Sequence, residues 1–146
     1  MEREQAYERL ARLTQQMGAS FRPPATRAGG LDQGLARLEL PFREEFIGDP
    51  FRPALHGGLI STLVDTCGGL AVATTFQNIE DRASTVDLRV DFLRPGRMED
   101  LIAEARVVRA GNRVAVVALS AFHPGAQEAP VASGTGVYNV RRVQDR

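Results

Sequence analysis

The sequence predicts an α+β fold: a curved antiparallel sheet of five to six strands wrapped round one long central helix, with an extra N-terminal helix. Three observations predict it. Residues 57–76 carry Leu59, Ile60, Leu63, Val64, Leu70, Ala71 and Val72, which makes them apolar almost all round, as in a buried helix. Residues 84–142 divide into four strand-like runs separated by turn signals. No other segment is apolar enough to cover the inner face of such a sheet, so the helix at 57–76 must do so.

Each element follows from local pattern. In residues 2–17, Tyr7, Leu10, Ala11 and Leu13 fall on one helical stripe, and Gly18 marks its stop. Pro23, Pro24, Gly29 and Gly30 make residues 19–33 a loop or an irregular edge. Residues 34–42 are the first long strand, with Ala36, Leu38 and Leu40 on one face. The next stretch, with Pro50 and Pro53, is a loop. Val86, Leu88, Val90 and Phe92 then alternate with Thr85, Asp87, Arg89 and Asp91, and Pro95-Gly96 ends that strand. Leu101, Ala103, Ala105 and Val107 share a face of the following strand, and Gly111-Asn112 signals a tight hairpin turn. Residues 112–123 are apolar on both faces, as in a central strand. Pro124-Gly125 turns the chain, placing His123 in a surface turn. The last strand holds Ser133, Gly134, Thr135 and Gly136, small residues that allow close backbone approach. The whole reads as one domain over 1–146, with the N-terminal helix in 1–18 and the core in 34–142.

Composition narrows the function. The chain has 146 residues and a formal net charge of zero, from 18 basic and 18 acidic residues. That argues against a general electrostatic grip on nucleic acid or an anionic membrane. All the basic residues are Arg, which excludes Schiff-base lysine chemistry. Cys67 is the single cysteine, so no internal disulfide or multi-cysteine metal site forms, and a buried structural thiol is the expectation. Two histidines argue against a histidine-based metal site, and no G-x-S-x-G elbow is present. The N-terminus is polar and charged, without a signal-peptide pattern, and the expected location is cytoplasmic.

The chemistry concentrates at His56-Gly57-Gly58 and Asp65. The first amides of a helix have no partner within it and carry the positive end of its dipole. Two glycines let a substrate oxygen approach them. A carboxylate inside an otherwise apolar helix is costly unless something pairs with it or uses it. An anion-stabilising helix end and a carboxylate are what hydrolysis of an acyl group needs.

Leu55-His56-Gly57-Gly58, Leu63-Val64-Asp65, and Thr85-Val86-Asp87-Leu88 through Phe92-Leu93-Arg94-Pro95 resemble the PaaI-like acyl-CoA thioesterases of the 4-hydroxybenzoyl-CoA thioesterase superfamily, which have the hotdog fold. The likeness covers roughly residues 34–142. It implies an acyl-CoA thioesterase in which the Gly57 amide meets the thioester oxygen with His56 beside it. Asp65 of the partner chain is then general base or nucleophile, and Thr85 helps position the water. Gly58, Asp87 and Phe92 are implied as substrate contacts. Arg109-Ala110-Gly111-Asn112-Arg113 matches the family's basic turn, which contacts the phosphates of coenzyme A, and Arg109 and Arg113 suit phosphate on chemical grounds. Coenzyme A is part of the substrate, and no separate cofactor or metal is implied. The family forms homodimers by joining sheets edge to edge, and dimers pair into homotetramers. The family often has Asn six residues before the histidine and Gly three before it; here those positions are Pro50 and Pro53. Asp49, Glu44 and Glu45 are the nearby candidates to take the place of that Asn. The departure motivates an alternative, a non-catalytic acyl-CoA binding or sensing protein of the same fold. The Asp-x4-His dyad of a hydratase is absent.

Overall fold

The computed structural model of the chain describes residues 20–21, 33–49 and 51–143. The helix expected over residues 2–17 lies outside the described residues. Strands β1 (Ser20–Phe21), β2 (Leu35–Leu40), β3 (Ile47–Asp49) and β4 (Ala54–Leu55) precede helix α1 (Gly57–Ala73). Four long strands follow: β5 (Arg82–Phe92), β6 (Leu101–Ala110), β7 (Val114–Phe122) and β8 (Ala132–Arg141). The main sheet runs β1-β2-β6-β7-β8-β5 with every pair antiparallel, and β3 and β4 form a separate small pair. The helix packs on one face of the sheet, against β2, β5, β6, β7 and β8.

Period-two patterning builds this interface. Ala36, Leu38 and Leu40 of β2, Ala103 and Ala105 of β6, and Ala115, Val117, Leu119 and Ala121 of β7 are all buried. From the helix, Ile60, Leu63, Val64, Cys67, Leu70, Ala71 and Val72 meet them. The alanines of the central strands leave room for the helix to lie close. Cys67 sits at that contact, its Sγ 3.5 Å from the carbonyl oxygens of Ala36 and Ala103. Burial pushes its thiol well up, so it stays protonated and unreactive.

Several local expectations are corrected. The helix ends at Ala73, short of Phe76, because Thr74 and Thr75 turn their hydroxyls back onto the carbonyls of Ala71 and Val72 at 2.6 and 2.7 Å. It is not covered all round: Thr62 is exposed, and Asp65, Thr66 and Gly69 are half-buried. The stretch before it, read as loop, contains a short 3-10 turn (Glu44–Phe46) as well as β3 and β4. Strict alternation fails in β5, where a bulge at Val86 lets Thr85 pair with Tyr138 and Asp87 with Val137. Val86 is 64% exposed, and Thr85 moves to the helix side with Leu88 and Val90. The β6–β7 loop residues are Asn112 and Arg113, between Gly111 and Val114 joined by a 2.8 Å backbone bond, and no residue there has positive φ.

His123 is buried, not on the surface. Its Nε2 accepts from the Arg97 N–H at 2.9 Å, which places its proton on Nδ1, 2.8 Å from the Asp100 carbonyl. The ring thereby ties the β5–β6 loop to the end of β7.

Candidate active site

The start of α1 is held by the 3-10 turn and the β5–β6 loop beside it. The His56 N–H donates to the Phe46 carbonyl at 2.8 Å, and the Leu55 N–H to the Gly96 carbonyl at 2.9 Å. Gly48 packs against His56 so closely that a Cβ there would stand 2.8 Å from the His56 Cα. His56 is the helix N-cap: its extended backbone (φ −60°, ψ 127°) starts the helix, and its Nδ1 accepts from the Gly58 N–H at 2.9 Å. A Cβ on Gly58 would come 2.9 Å from the imidazole, so this cap needs glycine there. With Nδ1 accepting, the neutral ring carries its proton on Nε2, a donor on an exposed side chain.

The amides of Leu59 and Ile60 bond the His56 carbonyl, whereas the Gly57 N–H finds no acceptor among the described residues. It is an open donor at the positive end of a 17-residue helix. The ring of Phe92 stands 3.4 Å from where a Cβ on Gly57 would be. Beside it lies a cavity of about 370 Å³ lined by Leu55, Ile60, Phe92, Leu93 and Pro95, with Arg94 also on its wall.

Asp65 is eight residues further along α1, roughly 12 Å up the axis from Gly57 at 1.5 Å per residue. Its Oδ1 accepts from Thr85 Oγ1 at 2.8 Å. Tyr138 Oη donates to the Asp65 main-chain oxygen at 2.8 Å and lies 3.2 Å from the same Oδ1. The structure thus brings Thr85 to Asp65, and Phe92 to Gly57, as neighbours. It also adds Tyr138, which sequence reasoning missed. Tyr138 is 73 residues from Asp65, and only the β5–β8 register puts it opposite Thr85.

Other predicted positions lie apart. Asp87 is exposed, on the sheet face opposite the helix. The exposed Arg109, Asn112 and Arg113, with Gly111, form the β6–β7 hairpin. That hairpin is at the other end of the helix: the Val107 N–H bonds the Gly34 carbonyl at 2.7 Å, and the Gly34 N–H bonds Thr74 Oγ1 just past the last helical turn at 2.7 Å. A helix of 17 residues separates the two ends by roughly 25 Å, so within one chain this hairpin does not reach His56 and Gly57. Pro53 is in an exposed turn, and Pro50 lies outside the described residues. Glu44 is exposed, and Glu45 pairs with Arg43 at 3.3 Å. Among the described residues no group of three or more His, Cys, Asp or Glu side chains is placed to hold a metal ion, and no helix is long and apolar enough to cross a membrane.

Comparison with known proteins identifies the family. The model of the thioesterase superfamily matches residues 53–129. A putative esterase of Halobacterium salinarum is 40% identical over 115 residues, 75% of this chain and 76% of that protein. The medium/long-chain acyl-CoA thioesterase YigI of Escherichia coli is 31% identical over 137 residues, 82% of this chain and 87% of its own. Among solved structures, a thioesterase-superfamily protein superposes with a TM-score of 0.76 at 30% identity, covering 94% of this chain and 99% of that one. A Bacillus halodurans protein solved with coenzyme A gives a TM-score of 0.64 at 30% identity, over 72% of this chain and 66% of that one. The chain belongs to the thioesterase superfamily, with the hotdog fold and the chemistry of a thioester hydrolase.

Proposed function

We propose that the protein hydrolyses medium- or long-chain acyl-CoA thioesters to a carboxylic acid and free coenzyme A, in sites shared between two copies of the chain. The single observation that carries this reading is the spacing of two groups on one helix. The Gly57 N–H, unpaired among the described residues, is a donor suited to the developing oxyanion, and Asp65 is a carboxylate held by two hydroxyls. They are roughly 12 Å apart, too far for one chain's Asp65 to serve a carbonyl bound at its own Gly57. A second copy, related by a two-fold axis at the free edge of β5, supplies the missing carboxylate. In support, β5 is an edge strand of 11 residues carrying exposed Val86 and Phe92, with exposed Leu93 just past its end. The same symmetry offers the partner's hairpin, with its two arginines, to the phosphates of coenzyme A.

In this mechanism the thioester oxygen sits on the Gly57 amide, and the exposed Nε2–H of His56 is a second donor beside it. Asp65 takes a proton from the attacking water, or attacks the acyl carbon itself to give a mixed anhydride that water then hydrolyses to the free acid, and Thr85 positions the water. The thiolate leaves readily and needs no strong acid, which suits a chain with two histidines. The cavity at Gly57 is largely apolar, as an acyl chain requires, with Arg94 its one charged lining residue, and the activity named for YigI sets the expected chain length. No separate cofactor takes part. We propose further that the dimers pair into a tetramer, and that the protein works in the cytoplasm as a single domain.

The test is thiol release from short, medium, long and aromatic acyl-CoAs, with wild type and Asp65→Asn side by side. Turnover by wild type that falls about 10²- to 10⁴-fold in the variant supports the reading. Activity within tenfold of wild type removes Asp65 from the mechanism. Binding without turnover across the panel favours the acyl-CoA-binding alternative, which the prolines before His56 motivate.

A further inference from the structure

Both hydroxyl groups that reach the Asp65 side chain approach the same oxygen. Thr85 Oγ1 is 2.8 Å from Oδ1 and Tyr138 Oη is 3.2 Å from it, while Oδ2 has no partner among the described residues. We propose that Tyr138 is a positioning residue for Asp65: with Thr85 it anchors Oδ1 and leaves Oδ2 as the oxygen that acts on the substrate. The proposal rests on Asp65 being the working carboxylate, as argued above.

Four features of the fold serve this arrangement. Thr85 and Tyr138 are direct cross-strand partners, so one pair of residues on β5 and β8 delivers both donors. The pairing exists because the Val86 bulge turns Thr85 to the helix side. Room for the phenol comes from two glycines. A Cβ on Gly68, in the middle of α1, would overlap Tyr138 Oη, and a Cβ on Gly136 would stand 2.6 Å from the tyrosine ring. A mid-helix glycine weakens a helix, and here it makes space for the phenol. Finally, the hydroxyl is also fixed by its 2.8 Å bond to the Asp65 main-chain oxygen, which ties β8 to the helix at the residue whose side chain is to be held.

The chemistry follows from the carboxylate's freedom. The last torsion of an aspartate is broad and roughly two-fold, so an unanchored carboxylate rotates. The Thr85 hydroxyl on Oδ1, with the single Tyr138 O–H shared between Oδ1 and the main-chain oxygen, opposes that rotation. Burial, and then the negative charge of Asp65, push the Tyr138 phenol upward, so it remains a neutral donor throughout the working pH range.

The experiment compares wild type, Tyr138→Phe, Asp65→Asn and the double variant on the best acyl-CoA of the panel, with melting temperatures as a fold control. The expected result is a fall in kcat of about ten- to a hundred-fold in Tyr138→Phe, the effect of losing a hydrogen bond to a charged group, with little change in KM. In the Asp65→Asn background the same substitution is expected to have no further effect on kcat. A Tyr138→Phe enzyme with wild-type kcat, beside an inactive Asp65→Asn, overturns the positioning role and leaves the proposed function standing. A fall that persists in the Asp65→Asn background overturns it too. An active Asp65→Asn is the distinct outcome that removes the underlying reading. Should Tyr138→Phe fail to fold, enzyme with its two tyrosines replaced by 3-fluorotyrosine keeps the ring and alters the donor. A changed kcat at constant KM then supports the proposal, and an unchanged kcat overturns it.

Discussion

At the residue scale, His56, Gly57 and Gly58 divide three tasks among three neighbours. Gly58 gives its N–H to the His56 ring, His56 turns its other nitrogen outward, and the Gly57 N–H is free of any acceptor among the described residues. The free N–H has a selective test. Proline is tolerated at the first position of a helix, and the His56 ψ of 127° is one that a residue before proline adopts. Gly57→Pro is therefore expected to melt where wild type does while kcat falls about 10²- to 10³-fold, as for loss of one oxyanion donor. Wild-type kcat in that variant would remove the amide from the mechanism. The motif itself was legible in the sequence, because a histidine, a glycine pair and a carboxylate two turns on are local features; that His56 caps the helix came from the structure. The second hydroxyl on Asp65 was not. Tyr138 reads in the sequence as one more aromatic residue in a strand, and its role depends on a register that no local pattern specifies.

At the scale of elements, the strands were legible from alternation wherever one face is buried and the other is not. β2 follows the pattern without fault, with Ala36, Leu38 and Leu40 inward. β5 breaks it at a bulge, and the break is what serves the site. The turn after the helix held a different surprise. Asp81 is 3% exposed and accepts from the amides of Gln77 and Asn78, and of Val143 beyond β8. Burial by itself would raise its carboxyl. The amides of Val143, Gln77 and Asn78, with the Arg142 charge, outweigh burial and hold it below the usual carboxylate range. A carboxyl lowered in the folded state contributes stability that is present above its unfolded value, about 3.9, and lost as pH falls through the folded value. Melting temperature is thus expected to fall as pH drops below about 4. In Asp81→Asn it is expected to be lower at neutral pH, by about 1–3 kcal/mol of stability, with a weaker dependence in that acid window. Equal acid sensitivity in both proteins would contradict this account of Asp81.

At the scale of the whole molecule, one chain holds the proposed oxyanion donor, the proposed working carboxylate and a basic hairpin strung along one helix rather than gathered at one point. A site shared across a two-fold axis predicts complementation. Gly57→Pro and Asp65→Asn are each expected to be inactive, yet a mixture refolded together contains heterodimers in which one of two sites is intact. Random pairing makes half of the dimers mixed, so activity of about a quarter of wild type is expected. A mixture as inactive as its parts would place the whole site within a single chain.

By itself the sequence determined the fold class, the succession of long strands along the chain, the helix that begins at His56-Gly57-Gly58, and a carboxylate within that helix. Those features are written in hydrophobic periodicity, in turn residues and in helix-end chemistry, all of which act over a few residues. The tertiary structure alone decided which hydroxyls meet Asp65, that His123 is buried as a loop tie, that Thr85 faces the helix, and that Gly57 and the arginine hairpin stand at opposite ends of the helix. These depend on strand register, on a one-residue bulge and on packing between residues far apart in the chain. A shift of a single position in β5 would turn Thr85 away from Asp65 without disturbing the local pattern that predicted a strand.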